Sequence, residues 1–381
     1  MKIRPFSPPF YAAAVDDLRD RLRRTRWPDE VPDSGWDYGT DTAFMREICL
    51  YWRDAFDWQR QIEQMGAFRH FLFTSEDLEI HFIHEGGKGP APIPLILTHG
   101  WPGSFLEFTK IIPLLTDPAS HGADPADSFS VVVPSLPGYG YSGKPGRGVN
   151  AFPTAACWAA LMRELGYAKF GAQGGDIGSG VTTALGLRLA DRLLGIHLNF
   201  VPGSYRPYLA DGTRLFDVEE AYLRGASKWR EEHGAYAHLQ RTTPLTAAYG
   251  LNDSPAGLAG WILEKFRNWS GSEGNLLRLF TRDELLANIT LYWMTETIYS
   301  SFRMYFEGSR APLTFAVNER VNVPTAVAHF PGELLFPPQV WVERGYNVTQ
   351  WTEMPRGGHF AALEQPELLA DDLRCFFRQF R

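Results

Sequence analysis

The stretch AQGGDIGSG, residues 172–180, decides the fold. Lys169-Phe-Gly-Ala172 before it is a short apolar run, and Val181-Thr-Thr-Ala-Leu-Gly-Leu187 after it has helical character. The order is strand, tight turn, helix. Glycines crowd the turn because it brings backbones together and strains the central residue. This is the frame of a nucleophile elbow, G-x-S-x-G, with Asp176 where a serine usually stands. An aspartate that merely caps the following helix would fit the same local pattern. Reactive residues elsewhere in the chain must separate the two readings.

Working outward, short apolar runs recur at 94–98, 130–133, 169–172 and 193–200, with a helical segment from Ala155 to about Leu165. Apolar strands alternating with helices predict a mainly parallel α/β sheet. Ahead of them, Phe71–Thr74 and Leu78–His84 alternate around Ser75-Glu-Asp77, which predicts a hairpin. Residues 1–70 read as helical and Pro-broken. Leu18, Leu22 and Trp27 form one helix face that ends at Pro28, Pro32–Thr40 is loop, and Phe44 to about Gly66 is a second helix. No polar linker follows, so this extension is expected to wrap onto the core. Residues 205–315 lose the strand rhythm and read as a helical cap. The core runs from 71 to 204 and resumes over 316–381, with an apolar run at 324–330, then the stretch Val348–Met354 and a helix from about Pro366.

Three loops complete the pattern. His99-Gly-Trp-Pro-Gly-Ser-Phe105 follows the run at 94–98, Glu333 follows the run at 324–330, and His359 lies in Arg356-Gly-Gly-His359 before the last helices. The order Asp176, Glu333, His359 is the nucleophile, acid, base order of the α/β-hydrolase triad. Each falls beyond a strand, where ligands of open α/β sheets bind. The joint arrangement favours the nucleophile over the cap. The backbone N–H groups of Trp101 and Ile177 would form the oxyanion hole, on a loop of His99, Gly100 and Pro102. Pro102 is read as cis.

Other signals exclude alternatives. The net charge is −7, so no basic footprint for nucleic acid is present. The Arg-rich segment 17–26 reads as the solvated face of an amphipathic helix. Three dispersed cysteines, Cys49, Cys157 and Cys375, suit a reducing cytoplasm. There is no signal-peptide core and no apolar run of membrane-spanning length. The sequons at Asn268, Asn288 and Asn347 are chance matches on this reading. Gly138-Tyr-Gly-Tyr-Ser-Gly143 matches G-x-G-x-x-G, but Lys144–Pro153 prevents the prompt helix a dinucleotide needs. Neither His81 with His84 nor His233 with His238 has a zinc pattern, so no metal and no cofactor are expected.

With these motifs in hand, the chain resembles the microsomal-type epoxide hydrolases, including the juvenile hormone epoxide hydrolases and soluble bacterial relatives. The likeness runs nearly end to end, through Ile3-Arg-Pro-Phe6, Trp101-Pro-Gly-Ser-Phe-Leu-Glu-Phe108, Leu251-Asn-Asp-Ser-Pro255 to Arg267-Asn-Trp269, and Gly357-Gly-His-Phe-Ala-Ala-Leu-Glu-Gln-Pro-Glu367. The resemblance implies an α/β-hydrolase core, a helical cap and cofactor-free opening of an epoxide to a vicinal diol through an Asp176 ester. It assigns the two ring-opening tyrosines to Tyr236 and Tyr305, which the residues alone do not single out among 15 tyrosines. Ile177 departs from the tryptophan many members carry there, which alters the pocket wall. The chain begins at the family's N-terminal extension, so no membrane anchor is expected. A bulky or aryl epoxide in natural-product biosynthesis or xenobiotic degradation is the expected setting. The oligomeric state is illegible, with a homodimer left open.

Two rivals remain at this point. A haloalkane dehalogenase shares the fold and an Asp nucleophile, but its halide wants N–H donors instead of a proton, so halide release separates the two. A non-catalytic small-molecule receptor would tend to lose part of the catalytic set. An ordinary esterase would need a serine at the elbow.

Overall fold

The computed structural model describes residues 2–76 and 78–381. Among the described residues, nine strands form one sheet in the order β1-β2-β3-β5-β4-β6-β7-β8-β9. They are β1 (Ile3–Phe6), β2 (His70–Ser75), β3 (Leu78–Glu85), β4 (Ile93–Thr98), β5 (Phe129–Pro134), β6 (Phe170–Gly174), β7 (Leu193–Leu198), β8 (Val321–His329) and β9 (Tyr346–Glu353). From β5 through β9 every neighbouring pair is parallel, and β1, β2 and β3 add on antiparallel. The all-buried β5 and β6 explain the near-continuous apolar runs, since both faces are covered. The chain leaves β4 for β5 on one side and returns to β6 on the other. That reversal opens a crevice at the carboxyl ends of β4 and β6.

Helices α1 (Ala12–Arg23), α2 (Thr42–Asp54) and α3 (Trp58–Met65) form the N-terminal extension. Three expectations for this region need correction. Residues 3–6 are a strand, not helix. Pro5 argued against it, but β1 lies at the sheet edge, where a missing donor is tolerated. The first helix ends at Arg23, so Trp27 lies beyond it, beneath the Arg46 guanidinium at 4.6 Å. The segment from Phe44 to Gly66 is two helices, because the Asp57 carboxylate accepts from the Arg60 N–H at 3.1 Å and caps a new start. On α1, Val15, Leu18 and Leu22 are buried, while Arg21, Arg23 and Arg24 pair with Asp17 and Asp20 on the solvated side. The β2–β3 hairpin forms, and Asp77 in its turn lies outside the described residues.

The core helices are α4 (Ile111–Thr116), α5 (Ala151–Glu164) and α6 (Asp176–Arg188). Between β7 and β8 come α7 (Asp217–His233), α8 (Ala235–Thr242), α9 (Pro244–Leu251), α10 (Pro255–Trp269), α11 (Arg282–Thr295) and α12 (Ile298–Gly308). They cover the crevice. Short α13 (Gln339–Glu343) and α14 (Ala361–Glu364) precede α15 (Pro366–Phe377). Phe376 and Phe377 of α15 pack where Gly195 and Gly171 leave the sheet face bare. Among the described residues, no helix is long and apolar enough to cross a membrane.

Candidate active site

The elbow starts from glycine chemistry. Asp176 has φ +45°, in the left-handed region that non-glycine residues avoid. Such strain persists only where the surroundings enforce it. A Cβ on Gly178 would overlap the Thr98 carbonyl, and one on Gly174 would overlap the carbonyl of Gly178. The turn is therefore held by close backbone packing of β4, β6 and α6. Gly175 is the residue that flanks α6, and the helix has no side-chain cap. The Asp176 carboxylate is turned elsewhere, which removes the capping reading.

Its Oδ1 accepts from the Trp101 N–H at 2.8 Å. Its Oδ2 lies 3.5 Å from His359 Nε2. The Ile177 N–H sits in the first turn of α6, where no intrahelical acceptor exists. The helix N-terminus adds a favourable field for a carboxylate or oxyanion at this point. Trp101–Pro102 is a cis bond, as read from the sequence. A Cβ on Gly100 would collide with the Asp176 carboxyl, so the H-G-W-P glycine is there to admit it.

His359 and Glu333 approach from loops beyond β9 and β8. His359 Nδ1 lies 2.7 Å from Glu333 Oε1, and both are buried. Glu333 Oε1 also accepts from the Leu334 N–H at 2.8 Å. Burial alone would drive the His359 imidazole down. The Glu333 charge and the pairing with Asp176 outweigh it and hold the group well above its ordinary range. His359 thus rests as an imidazolium between two carboxylates. His99 is different: burial pushes it down to about 4, so it stays neutral. Its Nε2 accepts from the Leu136 N–H at 3.1 Å, which anchors the loop. His99 shapes the site from behind.

Tyr236 from α8 and Tyr305 from α12 face the elbow across the crevice. Their ring centroids are 6.0 Å apart. Tyr236 stacks on Trp101 at 5.4 Å, and Tyr305 meets the same indole edge-on at 5.9 Å. Burial, reinforced by neighbouring negative charge, raises both hydroxyls above the usual tyrosine range, so each keeps its proton at neutral pH. Asp176, Ile177, Tyr236 and Tyr305 line a cavity of about 890 Å³, with Phe200 and Trp229 on its walls. All five proposed catalytic residues therefore converge at one place, with Trp101 and Ile177 beside them.

Five further hydrogen bonds, made by Trp269, Glu364, Asn288 and Tyr292, support the site and are not evident from the sequence. The Trp269 carbonyl accepts from the His359 N–H at 2.9 Å, which ties the cap to the base loop. Glu364 accepts from the Gly271 N–H at 2.8 Å and the Phe360 N–H at 3.0 Å, on either side of that junction. Asn288 and Tyr292 of α11 each donate at 2.8 Å to the Pro102 and Gly103 carbonyls. Asn288 is buried and engaged, so its sequon has a structural reason. Trp269 and Glu364 fall in stretches already noted as distinctive, but their backbone partners are far away in sequence.

The fold and this constellation define an α/β-hydrolase with a carboxylate at the elbow. The comparisons agree: residues 93–366 match the alpha/beta hydrolase fold model, and residues 3–108 match the model of the epoxide hydrolase N terminus. The chain belongs to the epoxide hydrolase family of enzymes. It is 40% identical over 402 residues to epoxide hydrolase 1 of Oryctolagus cuniculus, covering 98% of this chain and 88% of that one. It is 34% identical over 412 residues to juvenile hormone epoxide hydrolase 1 of Ctenocephalides felis, covering 100% and 87%. The Aspergillus niger epoxide hydrolase structure superposes with a TM-score of 0.87 at 29% identity, covering 100% of this chain and 97% of that one.

Proposed function

We propose that the chain converts an epoxide to a vicinal diol through a covalent ester on Asp176. The observation that carries this reading is one carboxylate placed between a backbone donor, an imidazolium and two protonated tyrosines. An epoxide carbon is saturated, so ring opening is a displacement. A carboxylate is already ionised at neutral pH and attacks without a base. The ring oxygen leaves as an alkoxide and needs a proton. Tyr236 and Tyr305 supply it as general acids.

The charge on the site then changes. In the ester, Asp176 no longer carries its negative charge, and one of the two supports of the imidazolium is lost. The His359 proton passes to the ring oxygen by way of the tyrosines. Neutral His359 is then the base that takes a proton from water, with Glu333 orienting and stabilising it. Water adds to the Asp176 carbonyl carbon. The resulting oxyanion meets the N–H groups of Trp101 and Ile177, each such donor contributing about 3 kcal/mol in comparable sites. Collapse releases the diol and restores the Asp176 carboxylate and the His359 imidazolium.

The cavity of about 890 Å³ and its apolar walls support a bulky or aryl epoxide. Natural-product biosynthesis or xenobiotic breakdown, a cytoplasmic location and a homodimer belong to the same proposal. Purified protein incubated with styrene oxide should yield phenylethanediol, and Asp176→Ala should yield none. Halide release from a bromoalkane in place of diol formation would favour the dehalogenase. No turnover across an epoxide panel would return the chain to a binding role.

A further inference from the structure

Beside the substrate cavity lie two others, and the residues they share form a sequence. A void of about 10 Å³ is walled by Thr98, His99, Glu107, Asn199, Asp176 and His359, with neighbouring backbone. That is room for about one water molecule, and polar groups surround it. Asp176 is the one residue lining both this void and the substrate cavity. A third cavity, of about 390 Å³, runs between α3, α11 and the segment after the oxyanion loop, bounded by Gln61, Phe68, Lys110 and Ala287. Glu107 is the one residue lining both the void and this rear cavity. Among the described residues, none lines both large cavities.

Glu107 is built into this position. A Cβ on Gly103 would overlap its carboxyl, so the glycine of Trp101-Pro-Gly-Ser104 leaves the space the carboxyl occupies. Among the described residues, nothing hydrogen-bonds to that carboxyl. Burial, opposed in part by the His359 charge, raises the group to about 8. It is protonated at neutral pH and can donate as well as accept.

We infer that Glu107 seats the hydrolytic water against Asp176 and His359, and that this water arrives through the rear cavity. The inference rests on the ester route proposed above. In the ester, the alkyl group stands between the Asp176 carbonyl carbon and the substrate cavity and hinders the approach of water from that side. The void opens on the carboxyl from another side, within reach of the imidazole. Water in the void gives its proton to His359 Nε2 while its oxygen bonds to the Asp176 carbonyl carbon. The bond from that carbon to the substrate oxygen then breaks, and the diol oxygen is protonated from His359. The Asp176 carboxyl formed returns its proton to His359. Glu107 keeps its own proton throughout and acts as a positioning residue.

The test separates the two half-reactions. Single-turnover quench with styrene oxide, read by intact mass, gives the rates of ester formation and ester loss. In Glu107→Leu, ester loss should slow roughly 10- to 100-fold, the size expected for a misplaced reactant, while ester formation stays within about twofold. Glu107→Gln, which still donates and accepts, should recover most of the rate. Ala67→Trp, at the exposed edge of the rear cavity, should slow ester loss alone, and it guards against a folding defect in the first variant. Ester loss at the wild-type rate in Glu107→Leu overturns the seat, and equal slowing of both steps marks a merely structural role. Normal ester loss in Ala67→Trp overturns the route. If His359→Gln traps no ester at all, it is the covalent reading that fails, and the inference falls with it.

Discussion

The backbone N–H of His359 donates to the carbonyl of Trp269 at 2.9 Å, so the last turn of a cap helix holds the loop that carries His359. The Trp269 ring also meets the His359 imidazole edge-on at 5.2 Å and the Tyr236 ring at 5.0 Å. Cap and core are thus joined beside His359 and Tyr236.

That junction has no spare room. A Cβ on Gly358 would meet the Gly271 nitrogen at 2.6 Å and the Trp269 oxygen at 2.8 Å. Gly358→Ala should therefore cost about 1–3 kcal/mol, as overpacking does elsewhere. By displacing His359 it should also slow ester hydrolysis more than ester formation. Denaturant unfolding and single-turnover kinetics check the two effects. Unchanged stability with unchanged turnover would show that the loop is free to move.

Burial raises the Tyr236 and Tyr305 hydroxyls above the usual range, and on the proposed route each would protonate the ring oxygen. Replacing either by Phe should slow ester formation roughly 100-fold, within the range for a lost general acid. Replacing both should nearly abolish it. Stopped-flow quenching of tryptophan fluorescence follows this step, since Trp101 stacks on Tyr236. Normal alkylation in the double variant would remove the tyrosines from the mechanism.

Much of this was legible in the chain, and the remainder was not for definite reasons. The elbow, the oxyanion loop and the two partner loops could be read because each needs particular residue types at strand ends. The parallel strands could be read because both their faces are buried. The edge strand β1 was hidden by Pro5, which disfavours a strand everywhere except an edge. The break between α2 and α3 turned on one capping side chain, Asp57, inside an otherwise continuous apolar pattern. Tyr236 and Tyr305 came only from family likeness, since buried aromatic residues fill the core of this protein. Trp269 acts through its main chain, which no side-chain pattern reveals. Glu107 looked like part of a motif without a role, because its neighbours Gly103, Asp176 and His359 assemble only in the fold.

Ile177 lies on the wall of the large cavity next to Asp176. Ile177→Trp should lower kcat/KM for styrene oxide roughly tenfold by filling that wall, and leave propylene oxide within about twofold. Equal effects on the two substrates would mean the side chain does not select by size.

Glu107 also sets a pH dependence of stability. Its folded value of about 8 exceeds that of an unfolded glutamate, about 4.3. The folded state therefore binds the extra proton. The stability linked to it is complete below about pH 4.3 and is lost as pH rises through about 8. His359, Asp176 and Glu364 act on the group, the first lowering and the other two raising it. Glu107→Gln carries no such proton. Between pH 5 and pH 8, wild type should lose on the order of 3 kcal/mol relative to this variant in denaturant unfolding. Parallel pH profiles would place the carboxyl in water.

The covalent route is tested most directly by intact mass measurement of His359→Gln after exposure to styrene oxide. On the proposed route, ester formation does not need His359 as a base, whereas ester hydrolysis does. The expected result is a stoichiometric adduct of one epoxide per chain, mapped to the peptide carrying Asp176 and absent from the His359→Gln variant that also carries Asp176→Ala. An unmodified His359→Gln protein, or an adduct that persists without Asp176, would contradict an Asp176 ester.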